Sequence, residues 1–375
     1  MERWSYRKLG NFSRRLNRFF NELTEGNIKG FLLYLIFLPL YILSILYGIA
    51  VRFRFFLYRI RVFKTKRLNC KVISIGNITV GGSGKTPLTI YLAQRFIEKG
   101  KRPVILSRGY RGKIKDIGVV SDAKDVLLGP EDAGDEPYLM ALKLRGVPVI
   151  VGRDRYKAGL YAIEKFNPDI IILDDGFQHI RLARDMDIAL IDSRRGFGSG
   201  YLFPLGMLRE PLNGLKRASL VMVKNGEEGA GCGKRVNLFP PSASCLLSPI
   251  FFSYKPQAMI NLITGERFNV DLLKGKRIIA LSGIADPCSF RDTLKRLEAN
   301  VIKEIYYPDH HIYTLNDVED IALQTSDIEM VIVTEKDAVK LRRTQIKHLP
   351  IYSIEIDVRL EDSDVFDEVV GLKNV

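Results

Sequence analysis

The run Val72-Ile-Ser-Ile-Gly-Asn-Ile-Thr-Val-Gly-Gly-Ser-Gly-Lys-Thr-Pro87 constrains the fold more than any other part of the chain. Val72 to Ile75 reads as a short buried strand. It enters a glycine-rich turn that closes on Gly84-Lys85-Thr86, and Leu88 to Ile97 carries a helical pattern. Strand, glycine loop and helix in this order form a phosphate cradle. Loop N–H groups turn inward, the helix adds the positive end of its dipole, Lys85 reaches the β- and γ-phosphates, and the Thr86 hydroxyl serves Mg²⁺. The cradle consists of Thr79, Val80, Gly81, Gly82, Ser83, Gly84, Lys85 and Thr86. Pro87 fits because the first helical turn has no use for its N–H. Thr79 stands where the generic pattern has glycine, a departure that Gly81, Gly82 and Gly84 offset. The segment predicts a nucleoside triphosphate site with Mg²⁺.

A second constraint lies upstream. Phe31 to Val51 is 21 residues without a charge, which at about 1.5 Å per residue is long enough to cross a bilayer core. Arg52, Arg54, Arg59, Arg61, Lys64, Lys66 and Arg67 follow with no acidic neighbour, and the positive-inside rule then puts the P-loop side in the cytoplasm. Pro39 leaves open a kinked segment that dips into one leaflet, and Phe53, Phe55, Phe56 and Tyr58 suit an interfacial continuation. Charge follows the same division. The chain carries +14, yet residues 1–67 hold 14 Lys/Arg against three Glu, so the remaining 308 residues are within three charges of neutral. That distribution points to anionic lipid headgroups and away from nucleic acid. Cys70, Cys232, Cys245 and Cys288 are too widely spaced for a zinc site or a disulfide framework.

Beyond the P-loop, strand-like runs at Arg102–Leu106, Val147–Val151, Asp169–Leu173, Asp187–Ile191 and Leu220–Val223 alternate with helical patterns such as Pro137–Leu144 and Lys157–Phe166. The alternation predicts a parallel sheet wrapped by helices. A Pro/Ser-rich stretch at 239–244 breaks the rhythm, and further strands follow at Arg277–Leu281 and Met330–Val333. The expected architecture is α/β: a membrane-anchoring segment (1–70), a P-loop core with a parallel sheet (71–245), and a smaller C-terminal α/β domain (246–375).

Within that frame, the strand ending Leu173-Asp-Asp-Gly-Phe-Gln-His179 puts two carboxylates where a P-loop fold holds the acidic partner of Mg²⁺, and either Asp174 or Asp175 can supply it. Gln178 and His179 would share that cleft. Asp135 in Gly134-Asp-Glu-Pro137 is either a helix cap or a general base for an attacking hydroxyl, with Glu136 near the metal. Arg153, Arg155 and Lys157 crowd the start of a helix, where cations oppose the dipole unless a phosphate lies nearby. Ser107-Arg108-Gly109-Tyr110-Arg111 and Leu208-Arg209-Glu210 add loop arginines after strands. Tyr307-Pro-Asp-His-His311 holds half the histidines, and a His–carboxylate pair is a better reading than a two-His metal site. Thr334-Glu-Lys-Asp337 reads equally as a helix cap with ion pairs or as part of a site.

Together these segments resemble the tetraacyldisaccharide 4′-kinases (lipid A 4′-kinases). The resemblance rests on Gly76-Asn77, Val80 to Pro87, Ser107 to Tyr110, Gly134 to Pro137, Gly152 to Arg155, Leu173 to His179, Gly206 to Glu210, Asp309-His310 and Thr334 to Asp337. It implies transfer of the γ-phosphate of ATP to the 4′-hydroxyl of a tetraacyldisaccharide 1-phosphate, giving lipid IVA, at the cytoplasmic face of the bacterial inner membrane. Asp135 is then the base, raised or oriented by His310. Lys85 and Arg209 stabilise phosphoryl charge, while Thr86, Asp174, Asp175 and Glu136 are the Mg²⁺ candidates. Arg108, Gln178 and His179 meet the disaccharide 1-phosphate, a membrane glycolipid. No obligate protein partner is implied. The competing reading is a membrane-anchored P-loop ATPase acting as a switch, which needs no base for an alcohol.

Overall fold

The computed structural model describes residues 31–82, 84–224, 249–325, 327–342, 344 and 349–372. Ser83 of the phosphate cradle and the Pro/Ser-rich stretch at 239–244 lie outside the described residues.

Helix α1 covers Phe31–Arg59 and runs on through the arginines past Val51. The first half then alternates strands and helices: β1 (Lys71–Gly76), α2 (Lys85–Glu98), β2 (Pro103–Ser107), β3 (Ile117–Asp122), α3 (Asp135–Lys143), β4 (Pro148–Gly152), α4 (Arg155–Phe166), β5 (Ile170–Asp174), β6 (Met186–Asp192) and β7 (Leu220–Lys224). The second half contains β8 (Ile250–Asn261), β9 (Arg267–Phe268), β10 (Arg277–Ser282), α5 (Pro287–Arg296), β11 (Asn300–Tyr306), α6 (Leu315–Ala322), β12 (Met330–Thr334), α7 (Glu335–Leu341), β13 (Ile351–Leu360) and α8 (Ser363–Val370).

Every strand of one sheet is accounted for by the order β11-β10-β12-β13-β8-β7-β6-β1-β5-β2-β4-β3, with β9 beside β8. From β7 to β4 all neighbours are parallel. β1, β2, β4 and β5 are buried along nearly their whole length, which is why they read as unbroken apolar runs without alternation. β1 lies between β5 and β6, while the chain leaving it crosses to β2 on the far side of β5. The P-loop therefore sits at a topological switch point, where crevices open at the C-terminal ends of strands.

The second wing, β11-β10-β12-β13, is also parallel within itself. It joins the first through β8, which pairs with β7 over Ile250–Phe252 and antiparallel with β13 along the rest of its length. A register shift at Glu355/Ile356 marks a bulge in that ribbon. Two-stranded ribbons twist strongly and bulges bend them, so the C-terminal strand edges of the two wings can turn toward each other. Each wing has apolar side chains on both faces, with Ile73, Ile105 and Ile172 on one face of the first wing and Val72, Leu106 and Ile171 on the other. The second wing has Ile279 and Val331 opposite Ile278 and Ile332. The last helix returns to the first wing. Phe366 and Val370 join its core, Tyr91 packs on Phe366, and Arg95 pairs with Asp367.

α1 leans on the body through one face only. Ser44 Oγ donates to the Leu202 carbonyl (2.8 Å), Tyr47 Oη to that of Arg209 (2.7 Å), and Arg217 lies over the Phe55 ring (4.6 Å). The opposite face leaves Leu38, Ile42, Leu46, Ile49, Phe53 and Phe56 exposed. Phe37–Arg59 is long and apolar enough to cross a membrane.

Candidate active site

β1 ends in Gly76, and a Cβ there would come 2.6 Å from Cβ of Phe177. Glycine lets the P-loop strand and the Asp174–His179 turn approach this closely. The loop is then pinned to its neighbours: Thr79 bridges to Leu208, and the Val80 N–H donates to the Met207 carbonyl (2.7 Å). Gly84 takes a left-handed φ of 85° where loop becomes helix, and a Cβ there would fall 1.7 Å from Tyr254 Oη. Lys85 opens α2, and Thr86 follows in its first turn.

Lys85 Nζ donates to Asn77 Oδ1 (3.2 Å) and lies 3.4 Å from Asp175, whose carboxylate also receives Arg209 (3.1 Å to each oxygen). Burial raises the Asp175 carboxyl, but Lys85 and Arg209 outweigh it and hold the group below its ordinary range. Asp174 differs. It pairs in register with Ile75, is 2% exposed, and accepts hydrogen bonds from Ser107 Oγ (3.1 Å) and Thr89 Oγ1 (3.4 Å). Burial first, then the charges of Glu136 and Asp175, push it up to about 7. Adjacent carboxylates are thus driven apart by their partners, a pattern typical of functional sites. Asp175 also adopts φ 52°, an uncommon conformation for a residue with a side chain.

Arg155 is 4% exposed, and its charge is felt by Asp174 and Asp175; burial lowers its affinity for a proton and the two carboxylates partly restore it. The expected conflict at this helix start is relieved without a phosphate, since Asp154 accepts from the Tyr156 and Lys157 N–H groups. Arg153 and Arg108 are exposed at the ends of β4 and β2. Gln178 Nε2 donates to the Asn77 carbonyl (2.7 Å) and to Glu210 (3.0 Å), tying the P-loop to the segment carrying Arg209. His179 is lowered to about 4 by burial and by Arg155 and Arg184, so its ring is neutral.

The second wing contributes from across the cleft. Gly134, not Asp135, caps α3, and the Asp135 carboxylate makes no capping bond. Instead Asp135 Oδ2 meets His310 Nδ1 at 3.3 Å. Burial works to raise this carboxyl, but the His310 hydrogen bond together with Lys340 and Lys336 holds it below its ordinary range, so His310 lowers the base and does not raise it. Glu136 pairs with Lys336 (3.1 Å), which also reaches Asp309 (3.3 Å). His310 and Arg111 both have left-handed φ values (61° and 63°), and Arg111 donates to the His310 carbonyl. Outliers of this kind persist where surrounding structure over-determines them, often at sites. The neighbouring His311 goes elsewhere, to Asp317 of α6 (3.1 Å).

Among the described residues no three His, Cys, Asp or Glu side chains form a metal cage. Mg²⁺ at a nucleotide is held largely by phosphate oxygens and water, so a hydroxyl and one or two carboxylates suffice. Glu136 and Asp175 add to burial in raising Asp174, and a cation beside these carboxylates would offset that repulsion. Sequence reasoning missed Thr89 and Tyr254, and named Asn77, Ser107 and Lys336 only within longer segments, without a role for any of the three. Asn77 and Ser107 sit at strand ends like the named residues, but nothing local marks them as contacts of Lys85 and Asp174.

A P-loop at a switch point, with a carboxylate of its own wing (Asp135) paired to an imidazole of the other (His310), is the arrangement of a phosphotransferase rather than of a simple nucleotide switch. The family model described as tetraacyldisaccharide-1-P 4′-kinase matches residues 36–373. The tetraacyldisaccharide 4′-kinase of Desulfatibacillum aliphaticivorans is 42% identical over 337 residues, covering 88% of this chain and 91% of that protein. That of Syntrophus aciditrophicus (strain SB) is 41% identical, with 89% and 92% covered. The crystal structure of the "apo" form of LpxK from Aquifex aeolicus in complex with ATP superposes with TM-score 0.68 at 35% identity, over 88% of this chain and 96% of that one. The chain belongs to the tetraacyldisaccharide 4′-kinase family.

Proposed function

We propose that this chain transfers the γ-phosphate of ATP to the 4′-hydroxyl of a tetraacyldisaccharide 1-phosphate, with Asp135 as the base. One observation carries the reading: Asp135, at the rim of the P-loop crevice, is ionised and oriented by His310 from the other wing. In the transfer the hydroxyl O–H bond breaks and its proton goes to Asp135. The new O–P bond forms at the γ-phosphorus as the bridging O–P bond breaks, and ADP leaves with that electron pair. Lys85 and Arg209, both on Asp175, stabilise the phosphoryl charge. Thr86 with Asp174 or Asp175, and Glu136 once released by Lys336, are the residues that would hold Mg²⁺, which supplies charge neutralisation on the phosphates. Nothing observed favours a switch ATPase.

The lipid substrate comes from the side of α1. A cavity of about 400 Å³ between that helix and the 200–213 segment is lined by Tyr41, Ser44, Ile45, Arg52, Tyr201 and Leu212. Arg54 touches the Gln178 carbonyl at the same edge. The apolar helix and a lipid substrate associate the chain with a membrane, and the flanking arginines orient the body to the cytoplasmic face of the inner membrane. Arg108 and Arg153, with Gln178 and His179, take the anionic sugar headgroup, whereas Arg155, 4% exposed, acts on Asp174 and Asp175 and not on the substrate. The two wings act as lobes, 71–245 and 246–375, that close about the β8–β13 ribbon and exclude water from the phosphoryl group.

The test is Asp135→Asn. Glycolipid-dependent phosphate transfer should drop about 10²- to 10⁴-fold, the usual worth of a general base, while ATP binding survives. Transfer at the wild-type rate would sink the reading.

A further inference from the structure

Lys336 lies in the first turn of α7, and its side chain is mostly buried between the two wings. It has three polar neighbours: Glu136 Oε1 at 3.1 Å, Asp309 Oδ1 at 3.3 Å and His310 Nε2 at 3.4 Å. An ammonium group has three N–H donors and no acceptor, so these three neighbours match its full capacity.

We infer that Lys336 is a positioning residue for the phosphoryl transfer: it locks the His310 ring in the neutral form that carries its proton on Nδ1. This rests on Asp135 being the base. Because Lys336 can only donate, the nitrogen facing it must accept. A neutral imidazole that accepts at Nε2 bears its hydrogen on Nδ1, and Nδ1 is the atom 3.3 Å from Asp135 Oδ2. His310 is therefore a hydrogen-bond donor to the base, and the nitrogen facing that base has no lone pair with which to relieve it of a proton. The hydroxyl proton taken in the reaction stays on the other oxygen of Asp135 until ADP and product leave.

The surroundings support this assignment. Asp309 Oδ2 is the other group near Nε2, at 3.8 Å, beyond hydrogen-bond reach, and Lys336 occupies its partner oxygen. The ring plane is held independently. Tyr110 packs edge-on to it at 5.5 Å, and Arg111 fixes the backbone by bonding the His310 carbonyl (3.0 Å). Lys336 thus decides which nitrogen carries the hydrogen, not where the ring lies. Without it, Asp309 is left as the nearest charged group on that side and would draw a hydrogen onto Nε2.

The ring ¹⁵N resonances distinguish the states directly. Full-length protein labelled with ¹⁵N-histidine, in detergent micelles, should give His310 the pattern of Nδ1–H with unprotonated Nε2; comparison with His310→Asn assigns it among the four histidines. Lys336→Met should abolish that pattern and lower kcat about 10- to 100-fold, the usual loss when a histidine's orienting partner is removed, with KM for ATP little changed. Lys336→Arg, also a donor-only cation, should restore the pattern and part of kcat. A wild-type His310 protonated at Nε2, or a pattern unchanged in Lys336→Met, overturns the inference. The wild-type spectrum, assigned through His310→Asn, needs neither activity nor a folded Lys336 variant. If instead Asp135→Asn transfers phosphate normally while the pattern holds, it is the assignment of the base that fails.

Discussion

Replacing Asp174 by Asn should separate stability from catalysis. The Asp174 carboxyl has an ordinary value of 3.8 in the unfolded chain and is pushed up to about 7 when folded, chiefly by burial and further by Glu136 and Asp175. At pH 3 both states hold the proton and the group costs nothing. As pH rises from 4 to 7 the unfolded chain releases its proton first, so stability falls, and above 7 the loss is complete. The interval corresponds to an order of 4 kcal/mol against the ionised form. Asn keeps the shape, and the Ser107 and Thr89 hydroxyls, 3.1 and 3.4 Å away, can either donate or accept. Measured by urea unfolding in micelles with EDTA and no nucleotide, Asp174→Asn should therefore be the more stable protein at pH 8. The gain should shrink to less than half at pH 5. With Mg²⁺ and ATP added, wild type should gain stability while the variant gains little, and the variant's phosphate transfer should collapse. A variant less stable than wild type at pH 8, or a gain that does not shrink on acidification, would refute the picture of an uncompensated buried charge.

Two further outcomes test the scaffold. Gly84→Ala should cost the ATP-dependent rise in Tm, because its Cβ would fall 1.7 Å from Tyr254 Oη. Adding Tyr254→Phe moves the nearest atom to 3.0 Å and should recover only part of the loss, leaving about 1–2 kcal/mol for the left-handed backbone; full ATP binding by Gly84→Ala alone would contradict this. The double variant Ile42→Asp/Leu46→Asp on the exposed face of α1 should shift the protein out of the membrane fraction by more than tenfold, at about 2.5–3.5 kcal/mol per charge, without reducing soluble-domain ATP binding; an unchanged membrane fraction would count against that face meeting lipid.

Much of this molecule is legible in one dimension because its signals are local. The P-loop needs a strand, glycines and a helix start within 16 residues, and these appear in order from Val72 to Pro87. The buried strands β1, β2, β4 and β5 lie between other strands with helices on both faces, so each reads as an apolar run. The apolar span of α1 and the clustering of charge beside it are likewise properties of contiguous residues. By contrast, β3, β11 and β13 escaped notice because they are partly exposed, and an antiparallel or edge strand carries a weaker pattern. The continuation of α1 to Arg59 agrees with the interfacial reading of Phe53 to Tyr58, and the interleaved arginines are good helix formers that do not end the helix.

What the sequence determined alone was the inventory: a phosphate cradle, two adjacent carboxylates, a histidine loop, an apolar segment and the family to which they point. The tertiary structure decided the pairings. Asp135 and His310 are 175 residues apart, and Lys336 and Glu136 are 200 apart, so no local pattern relates them. They meet because α3 and α7, which belong to different wings, pack against each other, with Lys143 and Glu335 as a further ion pair between them. Burial and proximity, which exist only after folding, then drive Asp174 and Asp175 apart though they are chemically identical neighbours in the chain.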